Sequence, residues 1–148
     1  MVLVPCLTPF LGRRCSAGAD IVDFEEHRDN GAKARRYAEA FDDALTAIGE
    51  LPKPTISRIH GFCVGGGCEF ATTTDIRIVT EDSRFGIPIA RLGLLIGYVE
   101  MSHLVNLVGT GAASYLLLSG RLIDAQEALR IGLVNQVMGA GELESYTD

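Results

Sequence analysis

The sequence lacks the features that mark several large classes of protein. It has no Cys-x-x-Cys pair and no histidines spaced as zinc ligands, so no structural zinc site is predicted. No run of about 18 apolar residues occurs, and we therefore expect nothing to span a membrane. Basic residues are in the minority, 13 against 19 acidic ones, with a net charge of −6. Binding to nucleic acid is not expected, because it needs an excess of Lys and Arg facing phosphates.

Three common catalytic signatures are also missing. Gly65–Gly67 is not followed by Gly-Lys-Ser/Thr, so this run is not a nucleotide phosphate loop. No Gly-x-Ser-x-Gly elbow of a serine hydrolase is present. The run Gly109–Ser114 departs from the dinucleotide fingerprint at its last position, and we interpret it as a turn between two helices.

What remains is the composition of one globular domain. The chain has 148 residues, of which 47% are hydrophobic and 22% charged, too apolar for a disordered segment. Its apolar opening lacks the basic residues that precede a secretory core, and Pro5 and Pro9 interrupt it. The four cysteines, Cys6, Cys15, Cys63 and Cys68, are too few to require disulfides. We therefore expect reduced thiols and a cytoplasmic location.

Strands and helices alternate along the chain in the predicted secondary structure. Apolar residues at three- and four-residue steps predict a helix over 33–51, which Pro52 and Pro54 end. Asp124 with Glu127 resembles a capping box that opens another helix. Further helices are expected at 68–74, 98–108 and 112–118, strands at 55–59, 76–79 and 133–137, and a glycine-rich turn at 61–67. This alternation predicts an α/β layered domain.

The glycine-rich turn is the most informative local feature. Glycines directly before a helix permit backbone angles closed to other residues, and the first N–H groups of a helix have no internal partner. The Gly66 N–H can therefore point at a developing oxyanion, with Glu69 in the first helical turn beside it. The residue types and their spacing allow a second interpretation, in which the glycines only permit close packing and Glu69 only complements the helix dipole.

Longer motifs give the sequence a family resemblance. From Ser16 to Val137 it carries "SAGAD", "LPKPTISRIHGFCVGGGCEFATTTDIRI", "FGIPIARLGLL" and "SGRLIDAQEALRIGLVNQV". With these motifs it resembles the crotonase family, the enoyl-CoA hydratase/isomerase group. The resemblance implies a spiral of ββα units, incomplete at both ends. It divides the chain into an atypical segment (1–15), an acyl-CoA-binding core (16–138) and a truncated tail (139–148), and the opening segment does not read like the family's first strands.

The resemblance also implies roles for individual residues. Family members bind acyl-CoA thioesters and hold the thioester oxygen as an enolate between two backbone N–H groups. Ala17 matches the first donor, Gly66 the second, and Glu69 the first of two hydratase glutamates. The implied substrate-binding positions are Ala17, Gly18, Ala19, Asp20, Gly65, Gly66 and Ile89. Where the family has its second glutamate, after the proline of "FGxPE", this chain has Ile89.

Replacement of that glutamate bears on the reaction. Hydration needs one group to activate water and another to protonate the α-carbon, and Ile89 has no proton to give. Glu100 lies where the family places glycines over the active site, so it is a candidate substitute, the alternative being a solvated helix residue.

The resemblance therefore predicts an acyl-CoA enzyme of the enoyl-CoA hydratase/isomerase type. It leaves two alternatives open: a thioester hydrolase that uses Glu69 alone, and a non-catalytic relative that binds acyl-CoA or a partner chain. No metal or redox cofactor is implied, since coenzyme A enters as part of the substrate. Full-length members are expected to form homo-trimers or hexamers.

Overall fold

The computed structural model describes residues 2–5, 16, 18, 30–143 and 146, with the side chains of 2–5 excepted. The strands are β1 (Val2–Pro5), β2 (Thr55–Ile59), β3 (Phe62–Val64), β4 (Ile76–Thr80), β5 (Arg84–Gly86), β6 (Ile123–Asp124) and β7 (Gln136–Met138). The helices are α1 (Gly31–Gly49), α2 (Gly66–Thr72), α3 (Ile89–Leu92), α4 (Tyr98–Ser119) and α5 (Ala125–Arg130).

The strands form two sheets that the chain visits in turn. The first sheet is parallel throughout, in the order β1-β2-β4-β7, and the second has the order β3-β5-β6 with β5 and β6 antiparallel. The segments β2-β3-α2 and β4-β5-α3 therefore each place one strand in each sheet and then a helix. This repeat confirms the predicted α/β fold with its spiral of ββα units.

The helix α1 follows from its caps and its spacing. The Asn30 side chain accepts hydrogen bonds from the N–H groups of Ala32 and Lys33, at 3.1 and 3.0 Å, and so caps the first turn. On its inner face Leu45 is fully buried, and the Phe41 ring meets Phe70 of α2 edge to face at 5.0 Å between centroids. The predicted helix at 33–51 is thus confirmed, with its bounds two residues earlier.

The opening segment is more regular than its sequence indicates. Val2–Pro5 is a strand that pairs with β2 in parallel, from Val2 opposite Thr55 to Pro5 opposite Arg58. The view that this segment does not read like a family strand is therefore wrong. A proline is compatible with β1 because the strand lies at the edge of the described sheet, where a missing N–H breaks no ladder on its outer side.

Two further local predictions need correction. The segment 61–67 is not one turn: Phe62–Val64 forms β3, and α2 already begins at Gly66. The last strand begins at Gln136 rather than at Leu133, because the chain before it is held by a buried arginine. The Arg77 side chain donates from Nε to Leu133 O at 2.8 Å and from a terminal nitrogen to Thr74 O, and burial lowers the pKa of its guanidinium.

The longest helix, α4, contains the turn that the sequence indicates. Gly109 has φ 75° and ψ 164°, so two helical stretches meet there. Leu104, Ala113 and Leu116 are buried, and α4 packs against α1, α2 and α3. By its length and its apolar composition, α4 could cross a membrane. The sequence analysis did not expect such a helix, because the chain has no run of 18 apolar residues. Core helices of globular domains meet the same criterion.

Candidate active site

The glycine turn between β3 and α2 is built around Gly65. This residue has φ 57° and ψ −131°, a backbone conformation that residues other than glycine rarely adopt. Its carbonyl accepts hydrogen bonds from the N–H groups of Cys68 and Glu69 at 2.9 and 3.0 Å. The residue of this turn with positive φ is therefore Gly65, directly before Gly66. Among the described residues, the Gly66 N–H has no hydrogen-bond acceptor.

The start of the "SAGAD" loop lies against this turn. Ser16 N–H donates to Phe62 O, and Val64 N–H donates to Ser16 O, both at 2.8 Å. Gly18 is so close that a Cβ atom there would lie 3.1 Å from Val64 O and 3.4 Å from the Gly66 nitrogen. Of the predicted loop residues, Gly18 is thus brought next to Gly66, the predicted second donor. Ala17, Ala19 and Asp20 lie outside the described residues.

The contact between the two segments leaves no room for a side chain at Gly67. A Cβ atom there would lie 2.5 Å from Ser16 Cβ and 3.0 Å from Ser16 O. Ser16 also positions the next residues, since its hydroxyl accepts from Gly18 N–H at 3.2 Å. Sequence reasoning did not assign Ser16 a role. Its place as the first residue of the motif is the signal that could have found it.

Glu69 occupies the first turn of α2 and is buried, with 8% of its surface exposed. Its backbone carbonyl accepts from the Thr72 hydroxyl at 2.7 Å, which fixes the short helix. A buried carboxylate one turn from an N–H that no described residue accepts from is an arrangement that suits proton transfer beside a bound oxyanion.

Two cysteines form the floor of the glycine turn. Cys63 and Cys68 are free and buried, in agreement with the prediction that the thiols are reduced. The Cys63 thiol donates to Gly67 O at 3.4 Å. Hydrogen bonding with Cys68, together with burial, raises the pKa of Cys63. These thiols therefore act as small apolar packing groups beneath the site.

Ile89 opens α3 close to the same turn. Gly65 N–H donates to Gly86 O at 2.8 Å, which ties the turn to the end of β5, three residues before Ile89. The Ile89 side chain is partly buried and packs against the core cluster that contains Cys68. An apolar side chain, which cannot transfer a proton, therefore lies where the family resemblance leads one to expect a carboxylate.

Metal chemistry was not predicted for this site. Over the described part of the chain, no group of three or more His, Cys, Asp or Glu side chains is arranged to hold a metal ion. What the described residues do offer is a backbone N–H donor, a buried carboxylate and a tightly fitted loop.

Comparisons with known proteins agree with the fold and the motifs. The family model for enoyl-CoA hydratase/isomerase matches residues 3–147. The short-chain-enoyl-CoA hydratase of Clostridium acetobutylicum is 39% identical over 142 residues, which are 96% of this chain and 54% of that protein. The crotonyl-CoA hydratase of Syntrophomonas wolfei is 39% identical over 127 residues, 86% of this chain and 48% of that protein.

Solved structures give the same result. An enoyl-CoA hydratase/carnithine racemase from Magnetospirillum magneticum superimposes with a TM-score of 0.88 at 35% identity, covering 91% of this chain and 51% of the other. Enoyl-CoA hydratase from Bacillus anthracis superimposes with a TM-score of 0.86 at 31% identity, covering 93% and 53%. The chain thus spans about half the length of the relatives it matches. With a family model that matches nearly all of it, the chain belongs to the enoyl-CoA hydratase/isomerase family.

Proposed function

We infer that the chain carries the enolate-forming half of a crotonase-type site and acts on acyl-CoA thioesters. The observation that carries this proposal is the junction of the "SAGAD" loop and the glycine turn, where Gly18 lies against the Gly66 N–H, which has no acceptor among the described residues. Donors fixed in advance at the position of developing charge are among the largest contributions to catalysis. Gly66 and Ala17 are the proposed donors to the thioester oxygen.

Each remaining residue then has a proposed task. Ala17, Gly18, Ala19 and Asp20 clasp the coenzyme A portion, while Gly65 sets the backbone angle that turns Gly66 outward. Glu69 moves a proton to or from the carbons next to the thioester. Ile89 lines the acyl pocket. The domain limits at 15 and 138 remain predictions.

Ile89 favours a second candidate reaction. With one carboxylate, the site suits reactions that need a single acid/base, such as a shift of a double bond or hydrolysis of the thioester by Glu69 alone. A non-catalytic relative that only binds acyl-CoA or a partner chain is the remaining alternative. Release of free thiol from acyl-CoA distinguishes hydrolysis from hydration, because hydration leaves the thioester intact.

Partners follow from the same chemistry. We expect an acyl-CoA thioester as the substrate, with coenzyme A entering as part of it and no metal or redox cofactor. We expect a cytoplasmic protein without nucleic-acid or membrane partners, because the charge is acidic and α4 packs on three other helices. Full-length members are proposed to assemble as homo-trimers or hexamers.

The test compares Glu69→Gln with Glu39→Gln in the 148-residue chain. Glu39 is exposed on α1, so its substitution controls for the loss of one charge. We expect Glu69→Gln to lower turnover of crotonyl-CoA by about 10²–10⁴-fold, since Gln keeps the shape but does not shuttle a proton. Calorimetry with butyryl-CoA should show binding within a factor of about 2 for both variants, because neither changes the proposed oxyanion donors.

Two results would contradict the proposal. Equal turnover in Glu69→Gln and the unaltered chain would remove the acid/base role of Glu69. Absence of butyryl-CoA binding to the unaltered chain would remove the acyl-CoA site itself.

A further inference from the structure

Glu100 occupies the first turn of α4 and presents an unusual carboxyl group. Its Oε2 atom is buried and has no hydrogen-bond partner among the described residues. The side chain folds back over Gly97, whose missing Cβ leaves the space that the carboxyl occupies. Any side chain at position 97 would collide with it. One carboxyl oxygen of this partly buried residue is thus shielded from solvent, which the alternative of a solvated helix residue does not explain.

A helix cap does not explain this carboxyl. A glutamate at the third helical position often reaches back to the N–H of the capping residue, which would satisfy its oxygen. Here Oε2 accepts no such bond within the described residues, although Glu100 has the right spacing from Gly97. Burying a polar oxygen without a donor costs free energy, so the arrangement calls for a function.

Glu100 lies on the helix that packs against the candidate site, α4. Leu104, one turn further along the same face, is fully buried in the core cluster that contains Cys68, the neighbour of Glu69. Ile89 packs against that same cluster, and α4 contacts both α2 and α3. Glu100 therefore lies one turn from the core on the helix that packs against the two helices bearing Glu69 and Ile89.

We propose that Glu100 is the second carboxyl of the site and supplies the proton that Ile89 cannot. This role rests on the proposed function. In hydration of an enoyl-CoA, Glu69 accepts a proton from water as the water oxygen bonds to the β-carbon. The π electrons of the double bond shift to the thioester as an enolate. Collapse of the enolate forms the α-carbon–hydrogen bond with the proton of Glu100, and that proton is replaced from Glu69 through solvent.

The experiment measures crotonyl-CoA hydration over a range of pH in four forms of the 148-residue chain. These are the unaltered chain, Glu100→Gln, the control Glu39→Gln, and the double variant Glu100→Gln with Ile89→Glu. We expect Glu100→Gln to lose about 10²–10⁴-fold in turnover and one limb of the pH profile, with butyryl-CoA binding retained. The double variant should recover turnover, because it returns a carboxyl to the neighbouring helix.

The outcomes separate the two proposals. Hydration by Glu100→Gln within twofold of the unaltered chain, with both limbs of the pH profile kept, would overturn the role of Glu100 and leave the proposed function standing. Loss of turnover that Ile89→Glu does not recover, together with lost butyryl-CoA binding, would show a structural role and also overturn it. No hydration by the unaltered chain would overturn hydration as the reaction, and with it the assignment of Glu100.

Discussion

Adding one methyl group at Gly67 tests whether the "SAGAD" loop must lie on the glycine turn. In Gly67→Ala the new Cβ would start 2.5 Å from Ser16 Cβ, a distance well inside van der Waals contact. Ser16 cannot yield alone, because its N–H and carbonyl are both bonded to β3 at 2.8 Å. Overpacking of this kind costs about 1–3 kcal/mol. Since Gly18 is reached through Ser16, we expect the loop to move away from Gly66.

The assay combines thermal unfolding with butyryl-CoA binding and crotonyl-CoA turnover. We expect Gly67→Ala to lower the melting temperature by a few degrees, roughly 3–4 °C per kcal/mol for a domain of this size, and to weaken binding at least tenfold. Gly111→Ala is the matched control: a Cβ there meets nothing within 4 Å, and alanine favours the helix. Unchanged binding and melting temperature in Gly67→Ala would refute the contact.

Three further predictions concern the frame around the site. Asp124→Ala removes the side-chain bond to Glu127 N–H at 2.8 Å and should cost about 1 kcal/mol in urea unfolding, whereas Asp124→Asn should cost less. Cys63 in the native chain should resist iodoacetamide up to about pH 9, whereas Cys63 in the denatured chain should react. Because its pKa is raised in the folded chain, the contribution of Cys63 to stability is lost as the pH rises above the ordinary 9.0. Hydrogen bonds from the Thr55 N–H and hydroxyl, at 2.7 and 2.8 Å, lower the pKa of Asp75. The contribution of Asp75 to stability is therefore present above the ordinary pKa of 3.8 and is lost as the pH falls below it. Acid unfolding of Asp75→Asn should lack this loss of stability.

Much of the fold was predictable because its local signals agree with one another. The spacing of α1, its end before Pro52 and the Asp124 cap with its bond to Glu127 all appear in the structure as the sequence indicates. The predicted turn between two helices at Gly109 also appears, as a break where Gly109 has φ 75°. Such features depend on residues close together in sequence, where propensity and capping decide.

Features set by distant partners were not predictable. Val2–Pro5 becomes a strand only because β2 offers it an edge, a condition that its own residues do not record. The late start of β7 depends on Arg77, whose guanidinium holds the carbonyl of Leu133. At the site, the motif predicted Gly66 and Glu69, but the burial of the Glu100 carboxyl needed three-dimensional packing to be seen.

The parallel first sheet also constrains the order in which the chain can fold. Its pairs join residues remote in sequence, Val2 with Thr55 and Ile78 with Gln136, whereas Ile56 with Ile76 is much closer. Closing a longer loop costs more chain entropy before any contact rewards it. We therefore expect β2 and β4 to pair first, as a nucleus onto which β1 and β7 later add. During synthesis β1 leaves the ribosome well before β2, so this pair cannot form until Thr55 emerges.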